Sequence, residues 1–155
     1  WRMALMAYFL RDAFPTADLT RVLLMALLHD VGEVFTGDIP TFEKTDADRA
    51  REHALRDQWI DALPPPYAAE MRDLFAEMDA CETEEARLAK ALDRMEAVIT
   101  HNEGDPLTWL PLEYDLQRTY GVQEAAFSPA LKELRAEVNH EVDALITRLA
   151  KEKTI

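Results

Sequence analysis

The chain of 155 residues has one cysteine, Cys81, and therefore cannot form an internal disulfide bond. This cysteine usage fits a reducing compartment such as the cytoplasm. The longest uninterrupted apolar run, Val22 to Leu28, is far shorter than a membrane-spanning helix requires. No signal peptide and no low-complexity tract is visible. We therefore expect a cytoplasmic protein without a membrane partner.

Basic residues are scarce as well, since 17 lysines and arginines stand against 30 aspartates and glutamates, which gives a formal net charge of −13. Such a surface repels nucleic-acid backbones and anionic membranes, and we expect no nucleic-acid polymer as a partner. A small anionic ligand is compatible with this charge if a local positive group, such as a metal ion, offsets the field.

Length and hydrophobic pattern predict one all-α domain over residues 1–155. The apolar fraction of 48% is sufficient for one core, and the length is short for two domains. Alternating strand patterns of useful length and internal repeats are both missing. A compact bundle of about six helices is expected, with helices over 1–13, 18–28, 46–63, 67–80, 83–103 and from 128 onward. The second helix has almost no polar face and is expected to be central.

The end of this second helix carries polar groups that an apolar helix does not need. In "LLHDVGEVFTGDIP", residues 27–40, His29 and Glu33 are four apart, and Asp30 and Glu33 are three apart. In a continuous helix these spacings place the three side chains on neighbouring turns. Two interpretations are open. Either His29 is a hydrogen-bonded core histidine beside surface acids, or a cation holds the three groups together.

A further carboxylate lies in "LAKALDRMEAV", residues 88–98. Asp93 projects away from the apolar stripe of its helix, which consists of Leu88, Leu92, Met95 and Ile99. Its neighbours on the helix surface are the small residues Ala86, Ala89 and Ala97. Another backbone can therefore approach closely, and Asp93 needs a partner in that interface. An arginine from another helix and a metal ion are both compatible with the spacing.

The segments "HDVGEVFTGDIPTFEK" and "KALDRMEA" together resemble the HD-domain metal-dependent phosphohydrolases, specifically the branch that contains the bacterial 5'-deoxynucleotidases. That branch reads very nearly HDxxExxTGDxPT, followed some tens of residues later by Lys-x-x-Asp. The resemblance covers most of the chain and is weakest after about residue 104. It implies the HD-domain fold, hydrolysis of small phosphomonoesters such as (deoxy)nucleoside 5'-monophosphates, one divalent metal ion and a homodimer.

The resemblance also implies a role for individual residues. The implied metal ligands are His29, Asp30 and Asp93. The implied catalytic residues are Glu33, which works beside the metal-bound water, and Asp38. The implied substrate-binding loop, which contacts the sugar and the phosphate, is Asp38, Ile39, Pro40 and Thr41. Mixed imidazole and carboxylate ligands suit Mn, Co, Zn or Fe.

The family's first metal ligand, a histidine in a Glu-His-Ser/Thr stretch, has no counterpart in the chain. The match places it two positions before Trp1, and the family's phosphate-orienting arginine also lies upstream, so we expect the natural protein to begin earlier. The other histidines do not substitute: His53 and His140 are predicted to be surface residues, and His101 a hydrogen-bonding residue at a helix end. Because only His53 lies between the His-Asp pair and Asp93, one metal ion is favoured over two.

A function of another class also stays open at this point. A helical module that has lost its first metal ligand would bind a nucleotide or a protein partner without catalysis. The native sequence ahead of Trp1 distinguishes the two, because a Glu-His pair there restores the metal site.

Overall fold

The structure is a computed structural model that describes residues 1–152. Over that range it contains helices and turns and no β-strand, so the all-α prediction is confirmed. The helices are α1 (Arg2–Leu10), α2 (Leu19–Leu28), α3 (Glu33–Thr36), α4 (Asp46–Asp61), α5 (Tyr67–Ala80), α6 (Glu84–Glu103), α7 (Glu113–Thr119), α8 (Val122–Ala125) and α9 (Pro129–Glu152). Short 3-10 turns lie at Arg11–Ala13 and Pro106–Thr108.

Side-chain caps fix the starts of three of the long helices. Oδ1 of Asp18 accepts a hydrogen bond from the backbone N–H of Arg21 at the start of α2. Thr83 caps α6 in the same way, and Thr45 forms a reciprocal capping box at the start of α4. These contacts pair backbone donors that a helix start otherwise leaves free. Local sequence signals therefore determine where these helices begin.

The central helix is α6, which packs against α1, α2, α5, α8 and α9. Its stripe residues Leu92 and Met95 are completely buried. The prediction that α2 is central is wrong, because Leu24 and Leu27 of α2 are exposed. The apolar run of α2 thus buries one face against α1 and α6 and leaves the other at the surface.

The residue spacing predicts a continuous helix from His29 to Glu33, and this prediction is wrong. Helix α2 ends at Leu28, and Glu33 begins the separate short helix α3. Between these helices the backbone hydrogen bonds join residues that are three apart. For example, the N–H of Glu33 donates to the carbonyl of Asp30 at 2.9 Å. The backbone is therefore wound more tightly than an α-helix here, which changes the direction of each side chain.

Helix α9 packs on α6 and α7 in a second region. Val138 and Val142 of α9 pack against Val98 at the end of α6. Arg135 of α9 is 2% exposed and donates hydrogen bonds to the backbone carbonyls of Gln117, at 2.8 Å, and Tyr120, at 2.8 and 3.0 Å. The end of α7 is therefore fixed to α9 by a buried cation.

Helix α4 is the least buried of the long helices in the described range. It packs mainly against α3 and α5, and only Arg56 and Ile60 of its residues are buried. Among residues 1–152, no helix combines the length and apolar character that crossing a membrane requires.

Candidate active site

The turn after α2 and the middle of α6 bring the three predicted metal ligands together. Nε2 of His29 lies 2.8 Å from Oδ2 of Asp30 and 3.7 Å from Oδ1 of Asp93. The described part of the chain nevertheless contains no ready-made group of three or more His, Cys, Asp or Glu side chains arranged to hold a metal ion. The three residues are neighbours, and the case for a metal ion depends on the chemistry of their donor atoms.

The last turn of α2 orients the ring of His29. Nδ1 lies 3.0 Å from the carbonyl oxygen of Ala26, and because a carbonyl only accepts, Nδ1 carries a proton and donates it. Nε2 then faces two carboxylates. Burial lowers the pKa of His29, but the hydrogen bond and charge of Asp30 and the charge of Asp93 outweigh it, and the pKa lies above 6.5. The two carboxylates therefore favour a positive charge at this point, which a proton on Nε2 or a metal ion can supply, and the donor set fits a metal.

Asp93 is partly buried, with 26% of its side chain exposed. Its Oδ2 accepts a hydrogen bond of 3.0 Å from Nζ of Lys90, one turn earlier on α6. The cation beside Asp93 in the described contacts is thus a lysine of the same helix, and not the arginine from another helix that was the alternative to a metal ion. The close approach of α2 to α6 agrees with the small residues expected there, since Ala86 and Ala89 are buried.

Glu33 is held by a lysine that sequence reasoning did not identify. Nζ of Lys44 lies 3.1 Å from Oε1 of Glu33 and 2.5 Å from Oε2 of Glu52. Burial raises the pKa of Glu33, and the charges of Asp30 and Asp38 raise it further. Lys44 opposes them, but the pKa of Glu33 lies above its ordinary value. Such a carboxyl group is better suited to exchange a proton than a solvated glutamate.

Gly32 allows Glu52 to reach this group. A β-carbon at position 32 would lie 2.6 Å from Cγ of Glu52. The backbone of Gly32 has an ordinary helical φ of −61°, so the close approach of Glu52, and not the backbone conformation, requires glycine here. The glycine directly before Glu33 is the one sequence signal that could have pointed to this contact.

The predicted substrate loop follows α3 and is divided between two spaces. Gly37, with φ 81°, turns the chain, and Asp38, Ile39 and Thr41 then line the same cleft as Glu33. Pro40 lies on what we call the side cavity, a neighbouring space of about 320 Å³ between this loop, α6 and α7. Three of the four loop residues thus reach the cleft directly.

The cleft has a volume of about 410 Å³ and is walled by side chains from α4, α5 and α6. Arg56 of α4 donates hydrogen bonds of 3.0 and 2.9 Å to the two carboxylate oxygens of Asp79 on α5, and its guanidinium lies 4.8 Å from the ring centre of Phe75. This bidentate pair joins α4 to α5. Sequence reasoning missed it, because no spacing relates positions 56 and 79.

The three other histidines lie in three different surroundings. His140 is exposed on α9, and His53 is exposed at the edge of the cleft. His101 lies in the last turn of α6 as expected, but the prediction that it forms a hydrogen bond is wrong: its ring stacks on Trp109, and Nε2 has no hydrogen-bond partner. None of the three forms a hydrogen bond or ion pair with His29, Asp30 or Asp93, which we call the His29 group, in the described structure.

A histidine, two aspartates and a glutamate of raised pKa line one cleft of this all-helical fold, and these residue types suit metal-dependent hydrolysis. The family model described as "HD domain" matches residues 1–135 of the chain. The chain therefore belongs to the HD-domain family.

Relatives of known name are similar over nearly the whole chain. The 5'-deoxynucleotidase HDDC2 of Mus musculus is 32% identical over 148 residues, which cover 93% of this chain and 72% of that protein. HDDC2 of Bos taurus is 30% identical over 156 residues, 98% of this chain and 74% of that protein. A crystal structure of a predicted metal-dependent phosphohydrolase from Magnetospirillum magnetotacticum MS-1 matches with a TM-score of 0.72 and 29% identity, and covers 96% of this chain and 75% of that chain.

These similarities confirm the identification of the chain as an HD-domain phosphohydrolase and favour an enzyme over a non-catalytic module. A divalent metal ion belongs to this class of hydrolase. The roles of single residues stay predictions, as do the metal's identity and the state of assembly.

Proposed function

We propose that the protein is a metal-dependent phosphomonoesterase that releases phosphate from nucleoside 5'-monophosphates, deoxynucleotides included. The observation that carries the proposal is the meeting of His29, Asp30 and Asp93 at the cleft that Glu33 also lines. The relatives named 5'-deoxynucleotidase support the substrate class, since the similarity to them covers 93 and 98% of the chain.

Three residues would hold the metal ion, His29 through Nε2 and Asp30 and Asp93 through their carboxylates. One imidazole nitrogen with carboxylate oxygens suits Mn, Co, Zn or Fe. When bound, such an ion offsets the charge of the phosphate and lowers the pKa of a coordinated water. We propose a single ion at these three residues. Met3, in the first turn of α1, lines the cleft, which puts the start of α1 beside the site.

Glu33 is the proposed proton-transfer group. Its carboxylate faces the cleft, its pKa lies above the ordinary value, and Lys44 fixes its position at 3.1 Å. A carboxylate so placed can take a proton from an attacking water or return one to the leaving oxygen. Loss of such a group typically lowers the rate by about 10²–10⁴.

The loop of Asp38, Ile39, Pro40 and Thr41 is proposed to contact the sugar and phosphate of the substrate, with Asp38 also taking part in catalysis. Gly37 sets the turn that brings Asp38 to the edge of the cleft. The basic residues Lys90 and Arg94 line the same cleft and reduce its negative potential. A phosphate can therefore enter despite the acidic surface.

We also propose that residues 1–155 form one HD domain, and that the protein acts in the cytoplasm as a homodimer without a nucleic-acid polymer or membrane partner. The single cysteine supports the compartment, and the net charge of −13 supports the exclusion of polyanions. The homodimer follows from the family resemblance. Light scattering after size-exclusion chromatography tests it, and a monomeric mass at micromolar concentration would contradict it.

The test separates catalysis from metal binding in the full-length protein. Glu33→Ala should retain the metal and still bind a nucleoside monophosphate, while turnover falls by at least about 10². Asp93→Ala should lose the metal, because it removes one of few ligands. The exposed Glu133 of α9 provides the matched control, Glu133→Ala.

Elemental analysis of the purified variants and release of inorganic phosphate from a panel of nucleoside monophosphates measure the two effects. Wild-type turnover in Glu33→Ala would refute the assigned role of Glu33. If the metal-loaded wild-type protein releases no phosphate from any small phosphomonoester, the proposed function is wrong.

A further inference from the structure

The side cavity adjoins the cleft and differs from it in character. It is lined by Thr41 and Phe42 of the loop, Val98 and His101 of α6, and Glu113 and Gln117 of α7. Asp38, Thr41 and Tyr120 line both spaces. The two spaces therefore meet at these three residues.

Two nitrogen atoms of residues that line the side cavity are shielded from water and have no hydrogen-bond partner, Nε2 of Gln117 and Nε2 of His101. Gln117 is 5% exposed as a residue, whereas the side chain of His101 is 36% exposed. Native proteins pair nearly all such groups, so an unpaired one calls for a partner outside the chain. The carboxylate of Glu113 lies 3.8 Å from Nε2 of His101, which is beyond hydrogen-bonding distance. A ligand edge that carries both donors and acceptors would complete this group.

The other walls of the side cavity suit a flat ring. Phe42, Val98 and Leu116 contribute apolar surface. The ring of Tyr120 is held in place, because the Arg94 guanidinium lies 4.3 Å from its centre and its hydroxyl lies 3.3 Å from Oγ1 of Thr41. Apolar and aromatic walls around a few polar groups are the usual setting for a planar ligand.

Helix α6 sets the distance between the two sites. Asp93, Ala97 and His101 follow one another along it at intervals of four residues, so at about 1.5 Å per residue the side cavity begins about 6 Å from Asp93 along the helix and reaches about 12 Å. A nucleoside 5'-monophosphate carries its base at a comparable distance from its phosphorus atom. The sugar would then lie beside Asp38 and Thr41, which border both spaces.

We propose that the side cavity binds the base of the nucleotide whose phosphate lies at the His29 group, and this inference rests on the proposed function. Gln117 donates to the edge of the base, Glu113 accepts from it, and the ring lies against Tyr120. Part of the binding energy then comes from the base, and the enzyme prefers nucleotides to sugar phosphates that have none.

The test compares a set of 2'-deoxynucleoside 5'-monophosphates with 2-deoxyribose 5-phosphate, which has no base, using the full-length Mn²⁺-loaded protein. Ala97 lines the side cavity from an exposed position on α6, so Ala97→Phe fills the space without entering the core. We expect this variant to lower the ratio of kcat/KM for nucleotide over sugar phosphate at least tenfold. Ala136→Phe, at an exposed position of α9, is the matched control and should leave the ratio unchanged.

The variant Gln117→Met distinguishes a ligand-binding role of Gln117 from a purely structural one. It removes an unpaired buried amide, so the melting temperature of the ligand-free protein should stay the same or rise, while KM for the nucleotide rises several-fold. An unchanged substrate ratio in Ala97→Phe together with an unchanged KM in Gln117→Met would overturn the base site while phosphate release continues. Failure of the wild-type protein to hydrolyse either substrate would instead overturn the proposed function.

Discussion

Lys44 provides the sharpest test of how the site is organised. In Lys44→Met the cation disappears, and Glu33 and Glu52 are left facing each other. Removing one partner of a fully buried ion pair costs about 3–5 kcal/mol, whereas exposed pairs contribute about 0–1 kcal/mol. The side chains of Lys44, Glu33 and Glu52 are 12, 21 and 15% exposed. We therefore expect an intermediate loss of about 1–3 kcal/mol in the free energy of unfolding.

The same change should reduce catalysis beyond its effect on stability. Glu33 loses the contact that fixes its carboxylate, and a displacement of about 1 Å can cost about 10² in rate. We expect kcat to fall by roughly 10–100-fold at temperatures where the variant is fully folded. The metal content should persist, because Lys44 is not one of the proposed ligands.

Thermal unfolding and phosphate release at 25 °C measure the two effects. The expected loss of stability lowers Tm by roughly 2–12 °C for a protein of this length. Lys132→Met, at an exposed position of α9, is the matched control. If Lys44→Met has the Tm and kcat of the wild type, the lysine does not organise Glu33 and the assignment is refuted.

Two further changes test the neighbourhood of Glu33. Gly32→Ala places a β-carbon 2.6 Å from Cγ of Glu52 and should displace Glu52 from Lys44. Turnover should then fall about 3–30-fold with little unfolding, because side-chain placement governs the rate. Lower kcat with an unchanged circular dichroism spectrum would support this prediction, and an unaltered kcat would contradict it. Asp38→Asn should weaken turnover and retain the metal, because Asp38 lines the cleft and is not one of the proposed ligands. Metal loss or unfolding in that variant would show a structural role for Asp38.

Local signals in the sequence were sufficient for most of the fold. The prolines before Tyr67 predicted the start of α5, and the cap at Thr83 predicted the start of α6 to within one residue. A proline run stops a helix and a capping side chain starts one through contacts within a few residues. Such contacts can be read from the sequence without knowledge of the packing.

The site was less predictable, because its geometry depends on packing between helices. His29, Asp30 and Asp93 were proposed through a family motif, and the structure brings them together through the packing of α2 on α6. The contact of Lys44 with Glu52 depends on the packing of α3 against α4, which no spacing in the chain expresses. The tight turn after Leu28 was missed for a related reason, since spacing rules apply only while a helix continues.

Helix α4 has few buried residues, and this has a consequence for local opening at the cleft. One of its two buried residues is an arginine, and its partner Asp79 is 41% exposed. Segments with few buried apolar contacts open locally at a lower free energy than the whole protein unfolds. Amide hydrogens of α4 should therefore exchange with solvent before those of α6. The wall of the cleft that carries Glu52 and Arg56 is therefore expected to be its least protected side.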